Sequence, residues 1–293
     1  MGGNTQKIIA FNYFGGKFFW LDNLYEYFPQ KFIHMVDVFS GSMAVSLNYK
    51  GKCIKTANDI NDDITNFFKV LRDHEAELLK KLELTPCSKS EYDNCWETTS
   101  DDIERARRFY VRVRQSFFGL GAQGQNKGWH MAKSQLNSNR GETVSRWNNS
   151  LSKLYDVATE IREDFQITNF DFRDCIEKTD TPDTFFYLDP PYDEETRSGN
   201  GKDYKYELEN NDRIDLAAKL HSIKGKAMIS GYPGGLTEEL YKDWYMVKFP
   251  VKKNNIRSTL RKDGLKVQSQ ECIWMNYDPF SEKGQLKLIT FKQ

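Results

Sequence analysis

The stretch FFYLDPPY, residues 185–192, runs from an apolar strand pattern directly into an acid, two prolines and a tyrosine. Each proline locks φ and lacks an N–H donor, so the strand cannot continue beyond Asp189. The carboxylate of Asp189, the carbonyl of Pro190 and the ring of Tyr192 are therefore held at the carboxyl end of a strand, where open α/β sheets bind ligands. Taken alone, the stretch also fits a strand-ending turn in which Asp189 caps and Tyr192 packs.

Short apolar runs that predict buried strands recur along the chain and alternate with helical patterns. The predicted strands are residues 32–38, 53–57, 165–169, 184–188, 227–230, 245–250 and 271–276. The predicted helices are residues 43–49, 64–73, 149–162, 212–222 and 236–242. Strands that alternate with helices in this way indicate an α/β fold with a doubly wound sheet.

Residues 74–148 interrupt this alternation. They contain no convincing strand, and Gly, Asn, Gln and Ser are dense near residues 119–141. We therefore predict a smaller insert at 74–148, mostly helical and loop, and one core domain assembled from residues 1–73 and 149–293.

The charges are balanced overall but unevenly distributed. The 293 residues include 42 Lys and Arg and 42 Asp and Glu, a balance that by itself argues against a polyanionic partner. Residues 103–146 nevertheless hold nine basic residues against two acids, and residues 247–266 hold seven against one. Residues 156–215 compensate with eighteen acids against seven bases. The insert and the late basic segment are thus the candidate surfaces for nucleic acid.

Cysteine usage and the N-terminal residues bear on compartment and metal content. The five cysteines form no C-x-x-C pair, and the first residues contain no long apolar run. We predict a reducing, cytoplasmic location with no membrane association and no metal. His130 has no second His or Cys at ligand spacing, which favours a structural or DNA-facing role.

Two further acids follow predicted strands. Asp37 lies in VDVFSGS, residues 36–42, where small residues at a strand-to-helix turn allow a ligand to approach the backbone. Asp59 follows the next strand, 22 residues later, close to the ~20-residue spacing at which an acid meets ribose hydroxyls. The residues alone do not distinguish that role from an N-cap of the next helix.

Four motifs occur in the order and approximate spacing typical of Dam-type DNA adenine-N6 methyltransferases, and the chain resembles that family over nearly its whole length. The motifs are YFGGK at 13–17, DVFSGS at 37–42, NDIN at 58–61 and DPPY at 189–192. A late segment, RST at 257–259 followed by ECIW at 271–274, is also similar. The resemblance implies a Rossmann-like methyltransferase sheet with a DNA-recognition insert.

The resemblance also implies a cofactor, S-adenosylmethionine, with S-adenosylhomocysteine as product. It implies that Asp59 takes the ribose hydroxyls, and that Asp171 and Phe172, on a turn before the catalytic strand, flank the cofactor adenine or the target base. The implied cofactor-binding residues are Tyr13, Gly15, Gly16, Lys17, Asp37, Phe39, Gly41, Asp59, Ile60, Asp171, Phe172 and Asp189.

The implied catalytic residues are Asp189, Pro190, Pro191 and Tyr192. Asp189 and the Pro190 carbonyl would accept the two N6 hydrogens and direct the nitrogen lone pair at the sulfonium methyl. Tyr192 would stack on the flipped adenine, because the amino group cannot be reached inside a duplex.

The predicted helix of residues 102–118 carries an apolar face and an opposite stripe of arginines, with few acids expected nearby to pair with them. Arg107 and Arg114 project close to the apolar face, so each needs a carboxylate or a phosphate as partner. The predicted DNA-binding residues are Arg105, Arg108, Arg112, Arg114, Lys127, Lys252, Lys253, Arg257, Ser258 and Thr259.

We expect a site-specific methyltransferase acting on adenine N6 in duplex DNA. Methylation of cytosine N4, a catalytically silent DNA-binding protein and an RNA substrate stay open as alternatives. The insert differs in sequence from the loop that reads GATC in the family. We therefore do not assign GATC as the recognition sequence of this chain. The sequence is compatible with an enzyme that has a partner restriction endonuclease and with an orphan or phage enzyme that has none.

Overall fold

The computed structural model describes residues 7–13, 15–116, 121, 128–131, 136–137, 140–192, 206–250 and 270–281. Its strands, in chain order, are β1 (His34–Asp37), β2 (Ile54–Asn58), β3 (Leu136–Asn137), β4 (Arg140–Gly141), β5 (Phe165–Thr168), β6 (Thr184–Leu188), β7 (Lys226–Gly231), β8 (Tyr245–Lys248) and β9 (Cys272–Met275).

Seven of these strands form one sheet in the order β5-β2-β1-β6-β7-β9-β8. The pairs from β5 to β7 are all parallel, and β9 runs antiparallel to both of its neighbours. Each of the seven strands coincides with a predicted one. The α/β prediction with a Rossmann-like sheet is confirmed.

The helices are α1 (Leu21–Tyr25), α2 (Ala44–Asn48), α3 (Asp62–Asp73), α4 (Glu75–Glu83), α5 (Lys89–Asn94), α6 (Asp102–Gln115), α7 (Glu142–Asp164), α8 (Phe172–Thr179), α9 (Asn210–Ser222) and α10 (Gly235–Leu240). All five of these predicted helices are present, and so is the helix predicted over residues 102–118, as α6. Helix α8 was not predicted; the side chain of Asp171 caps it by accepting from the Arg173 amide.

Strand β6 shows how the sheet is covered on both faces, since all five of its residues are buried. Phe185 and Tyr187 belong to a core cluster with α1, whereas Phe186 and Leu188 belong to a second cluster with α8 and α9. This alternation follows from the two-residue period of a strand. Prolines at the end of such a strand therefore place Asp189 at the rim of a sheet that is covered on both sides.

A third core cluster joins the predicted insert to the rest of the chain. It contains Phe67 of α3, Leu78 of α4, Tyr110 of α6 and Leu154 of α7. The rings of Phe67 and Tyr110 are stacked, with centroids 5.4 Å apart. Helix α7 begins at Glu142, so the predicted boundary at 149 falls inside it. The division into a catalytic domain and a recognition insert stays a prediction.

None of the helices within the described ranges combines the length and the apolar character needed to cross a bilayer.

Substitution Phe67→Ala tests how strongly α6 is joined to α3. Phe67 is fully buried, so we expect a loss of about 3–5 kcal/mol in the free energy of unfolding, measured by urea denaturation. Phe19→Ala is the matched control, because Phe19 is 81% exposed and should change stability by less than about 0.5 kcal/mol. Equal losses for the two variants would contradict the shared core.

Candidate active site

Three acids converge at the carboxyl edge of the sheet. Asp37 ends β1, Asp59 follows β2, and Asp189 follows β6. Strands β1 and β6 are neighbours in register, with Asp37 opposite Tyr187. The chain passes from β1 to β2 on one side, while β6 lies on the other, so this edge is the switch point at which open α/β sheets bind ligands.

A buried ion pair links Lys17 to Asp189. The Lys17 ammonium donates to Oδ1 and Oδ2 of Asp189 at 2.8 and 2.9 Å and to the Gly15 carbonyl at 2.8 Å. Only 3% of the Lys17 side chain is exposed. Burial alone lowers the pKa of Lys17, but the carboxylates of Asp189 and Glu271 outweigh burial and raise it. The lysine is therefore charged and compensates the charge of Asp189.

Tyr192 is held by three neighbours. Its hydroxyl donates to Oε2 of Glu271 at 2.9 Å, and its ring meets the ring of Tyr232 edge to face at 4.6 Å between centroids. The Lys17 ammonium lies 4.8 Å from the centre of the same ring. Burial, followed by the Asp189 and Glu271 charges, raises the pKa of Tyr192 well above its usual value, so the hydroxyl stays protonated and donates.

The other two acids also have hydrogen-bond partners inside the protein. Asp37 accepts from the Ser46 hydroxyl at 2.8 Å, and burial raises the pKa of Asp37 to about 7. Asp59 accepts from the amides of Gly41 and Asn61, both at 2.8 Å, and burial raises the pKa of Asp59 to about 6. The N-cap of α3 is Asn61, so the alternative role for Asp59 as that cap is wrong.

Gly41 determines how closely the turn after β1 approaches Tyr13. Its φ is +48°, and a Cβ at this position would lie 3.0 Å from the Tyr13 ring. Glycine is therefore required both for the left-handed backbone and for the contact. The amide of Gly41 is in turn fixed by Asp59, which joins the turns after β1 and β2.

Two adjoining cavities open along this edge. The smaller, of about 40 Å³, is lined among others by Lys17, Asp37, Gly41 and Tyr192. The larger, of about 240 Å³, is lined among others by the residues Asp59, Ile60, Asp171 and Phe172. Tyr13, Phe39 and Asp189 line both. Every predicted cofactor-binding residue lines at least one of the two cavities; their binding role stays a prediction.

The arginines of α6 have partners inside the protein. Arg105 pairs with Asp62 and Asp63, Arg112 with Asp63, and Arg108 with Glu104. The expectation that few acids lie near this stripe is wrong, because two of the acids come from the start of α3, some 40 residues away in sequence. DNA contact by these arginines stays a prediction.

Arg107 and Arg114, which were expected to need a partner near the apolar face, differ in what they contact. Arg107 pairs with the carboxylates of Glu91 and Glu104. Arg114 donates to the Arg146 carbonyl at 3.2 Å.

The other predicted DNA-binding residues lie outside the described part of the chain: Lys127, Lys252, Lys253, Arg257, Ser258 and Thr259. His130 is described, and its Nδ1 lies 3.3 Å from the Thr143 hydroxyl. Within the described ranges, no three His, Cys, Asp or Glu side chains are close enough together to bind a metal ion.

Glu271 and Arg213 are among the residues of the site that were not predicted. Glu271 binds the Tyr192 hydroxyl, and Arg213 of α9 donates to the Pro191 carbonyl at 2.9 Å. Arg213 is only 7% exposed, which is unusual for arginine. A buried position for Arg213 could have been suspected from its place in the amphipathic pattern of α9, whereas Glu271 stood within the ECIW segment that is similar to the family but was assigned no role.

The comparisons with known proteins agree with this geometry. Residues 13–257 match the model of the D12 class N6 adenine-specific DNA methyltransferases. The type II methyltransferase M1.LlaDCHI of Lactococcus lactis subsp. cremoris is 24% identical over 259 residues, which cover 82% of this chain and 87% of that protein.

Two longer proteins are also similar. The modification methylase StsI of Streptococcus sanguinis is 26% identical over 82% of this chain and 38% of its own length. The DNA N-6-adenine-methyltransferase of Escherichia phage P1 is 27% identical over 80% of this chain and 31% of its own length. This chain therefore spans less than two fifths of either protein.

Substitution Asp37→Asn tests the burial of an acid at the end of β1. Unfolded Asp37 ionises near pH 3.8, whereas folded Asp37 keeps its proton up to about pH 7, so the fold loses stability as the pH rises between these values. Relative to wild type, the variant should therefore gain about 2–4 kcal/mol in free energy of unfolding from pH 4 to pH 7. Urea denaturation of both proteins at several pH values measures this, and a constant difference would refute it.

Proposed function

From the membership of this chain in the D12 class N6 adenine-specific DNA methyltransferase family, we propose that it methylates the N6 amino group of a flipped adenine at specific sites in duplex DNA. The observation that carries the proposal is the rigid Asp189-Pro190-Pro191-Tyr192 turn at the carboxyl edge of the sheet, beside two joined cavities. Family membership implies S-adenosylmethionine as methyl donor. When bound, it supplies an electrophilic methyl group on a sulfonium centre.

The residues that line the cavities fit this cofactor. The larger cavity offers apolar surface from Phe39, Ile60 and Phe172 for a purine, and the Asp59 carboxylate as acceptor for ribose hydroxyls. The smaller cavity contains the Lys17 ammonium, which suits a carboxylate. We propose that the adenosine part occupies the larger cavity and the amino-acid part the smaller one.

The chemistry required of the protein is positioning and electrostatic stabilisation. We propose that Asp189 and the Pro190 carbonyl accept the two N6 hydrogens, which orients the nitrogen lone pair for direct transfer. Lys17 holds Asp189 through both carboxylate oxygens, and each oxygen keeps a further lone pair for a substrate N–H. Positive charge that develops on the amino nitrogen would be stabilised by the Asp189 carboxylate.

Tyr192 is proposed to stack on the flipped base. In the structure its ring is 8% exposed and is covered in part by Lys17 and Tyr232. Stacking therefore requires the side chains of Lys17 and Tyr232 to move away from the ring when the base enters. The hydroxyl contact to Glu271 fixes one end of the ring.

Contact with DNA is proposed to depend mainly on basic residues beyond α6. The α6 arginines are already engaged by internal carboxylates and carbonyls. We propose phosphate and base contacts for the remaining predicted set, which comprises Lys127, Lys252, Lys253, Arg257, Ser258 and Thr259. Binding through such contacts weakens steeply with added salt.

Substitution Asp189→Ala tests the proposed reaction. We expect transfer of labelled methyl groups to unmethylated plasmid DNA to fall by at least about 100-fold, because Asp189 would no longer accept an N6 hydrogen. DNA binding, measured by gel shift, should change little. Asp243→Ala is the control, since Asp243 is exposed and far along the chain from the site.

Digestion of the methylated DNA to nucleosides completes that experiment. We expect N6-methyl-2′-deoxyadenosine as the modified nucleoside. Recovery of N4-methylcytosine alone, or no transfer by the wild-type protein to any DNA, would refute the proposed function.

Substitution Asp59→Ala tests the proposed cofactor orientation. Loss of an acceptor for two ribose hydroxyls should raise the Kd for S-adenosylhomocysteine by about tenfold or more, measured by calorimetry. Asp73→Ala is the matched control, because Asp73 pairs with Arg72 at the surface and lines neither cavity. An unchanged Kd for Asp59→Ala would place the ribose elsewhere.

A further inference from the structure

We propose that Glu271 is a positioning residue for methyl transfer, which acts through the hydroxyl of Tyr192. This inference rests on the proposed function and assigns Glu271 no direct contact with the cofactor or with the base. Its effect is to set the orientation of the ring that the flipped adenine meets.

The reversed direction of β9 brings Glu271 to the site. In the parallel strands the residues at the site follow the strand, as Asp189 follows β6. Strand β9 is antiparallel to β7, with Cys272 opposite Gly231, so its first residue lies at the carboxyl edge of the parallel strands. Glu271 immediately precedes Cys272 and therefore reaches this edge from the opposite chain direction.

The contact from Tyr192 to Glu271 is a hydrogen bond of ordinary length to a carboxylate. The hydroxyl-to-carboxylate distance is 2.9 Å, and the Glu271 side chain is 14% exposed. Hydrogen bonds to an ionised acceptor are about twice as strong as neutral ones. A carboxylate in such a place needs compensation, and the Lys17 ammonium lies 3.9 Å away.

A second contact restrains the backbone next to Tyr192, so the hydroxyl contact determines the orientation of the ring. Arg213 donates to the Pro191 carbonyl and so fixes the peptide that leads into Tyr192. With its backbone held by Arg213 and its hydroxyl by Glu271, the tyrosine is restrained at both ends. Rings restrained in this way lose little further entropy when a substrate binds, which is the advantage of a preorganised site.

Loss of the ring's orientation should affect kcat and KM differently. A misaligned ring presents the target nitrogen poorly, whereas the larger cavity, which Tyr192 does not line, keeps its lining. Loss of the hydroxyl contact should therefore lower kcat, while the KM for S-adenosylmethionine stays nearly constant. A general loss of folding would instead lower the amount of active protein and the thermal midpoint.

The experiment compares E271Q, E271A, Y192F and the double variant E271A/Y192F with wild type, using labelled S-adenosylmethionine and unmethylated plasmid DNA. We expect E271A and Y192F each to lower kcat by about tenfold, the effect of one charge-assisted hydrogen bond. The double variant should be no worse than either single one, because both remove the same contact. E271Q keeps an acceptor for the hydroxyl and should retain most of the activity.

Two variants away from the site serve as controls. E160Q removes a carboxylate that pairs with Lys50 and Lys55 on the other side of the molecule. Y277F removes a tyrosine hydroxyl that donates to the Tyr27 carbonyl at 2.9 Å. Both should leave kcat within about twofold of wild type.

The inference is overturned if E271A retains wild-type kcat, if the losses in E271A and Y192F multiply in the double variant, or if E271Q is as impaired as E271A. Should E271A fail to fold, Y192F and E271Q still decide, because the inference requires a loss in the first and retention in the second. Wild-type protein that transfers no methyl group refutes the proposed function itself, which is a different outcome from active wild type with unaffected variants.

Discussion

The Lys17 ammonium holds together segments of the chain that are far apart in sequence. It donates to both oxygens of Asp189, lies 3.9 Å from Glu271 and is 3% exposed. Two acids at the rim of a covered sheet would repel each other without it, and a buried lysine without them would lose its charge. The positions of Asp189, Tyr192 and Glu271 all depend on this one cation, because each contacts it or contacts a residue that does.

The three acids at this edge differ in the groups that compensate them. Asp189 is neutralised by a lysine, whereas Asp37 has a hydroxyl partner and a pKa raised by burial to about 7. Asp59 is occupied by two backbone amides, which join the turns after β1 and β2. The edge therefore presents one carboxylate that is paired with a cation, beside one that accepts from a hydroxyl and one that accepts from two backbone amides.

Local apolar runs in the sequence were enough to predict the strands of the sheet, because each buried strand is a signal contained in a few residues. Most of the cavity lining was instead implied by the resemblance of four motifs to a known family. The partners of the α6 arginines were not predictable, since Asp62 and Asp63 approach only when α3 and α6 pack. Glu271 was missed for a related reason: its location depends on the reversal of β9, which a short apolar run does not reveal. Helix α8 was missed because Asp171 and Phe172 were interpreted as a turn.

The core shared by α3, α4, α6 and α7 has a consequence for how such a chain can acquire a new DNA target. Exchange of the whole segment between residues 74 and 148 would remove Leu78, Tyr110 and Trp147 from that core. The helices that remain would lose the side chains against which they pack. Exchange between Gln115 and Glu142 would leave every one of these side chains in place. Under the proposed function, changes in DNA preference within that interval are therefore compatible with this core, while the helices on either side are constrained by packing.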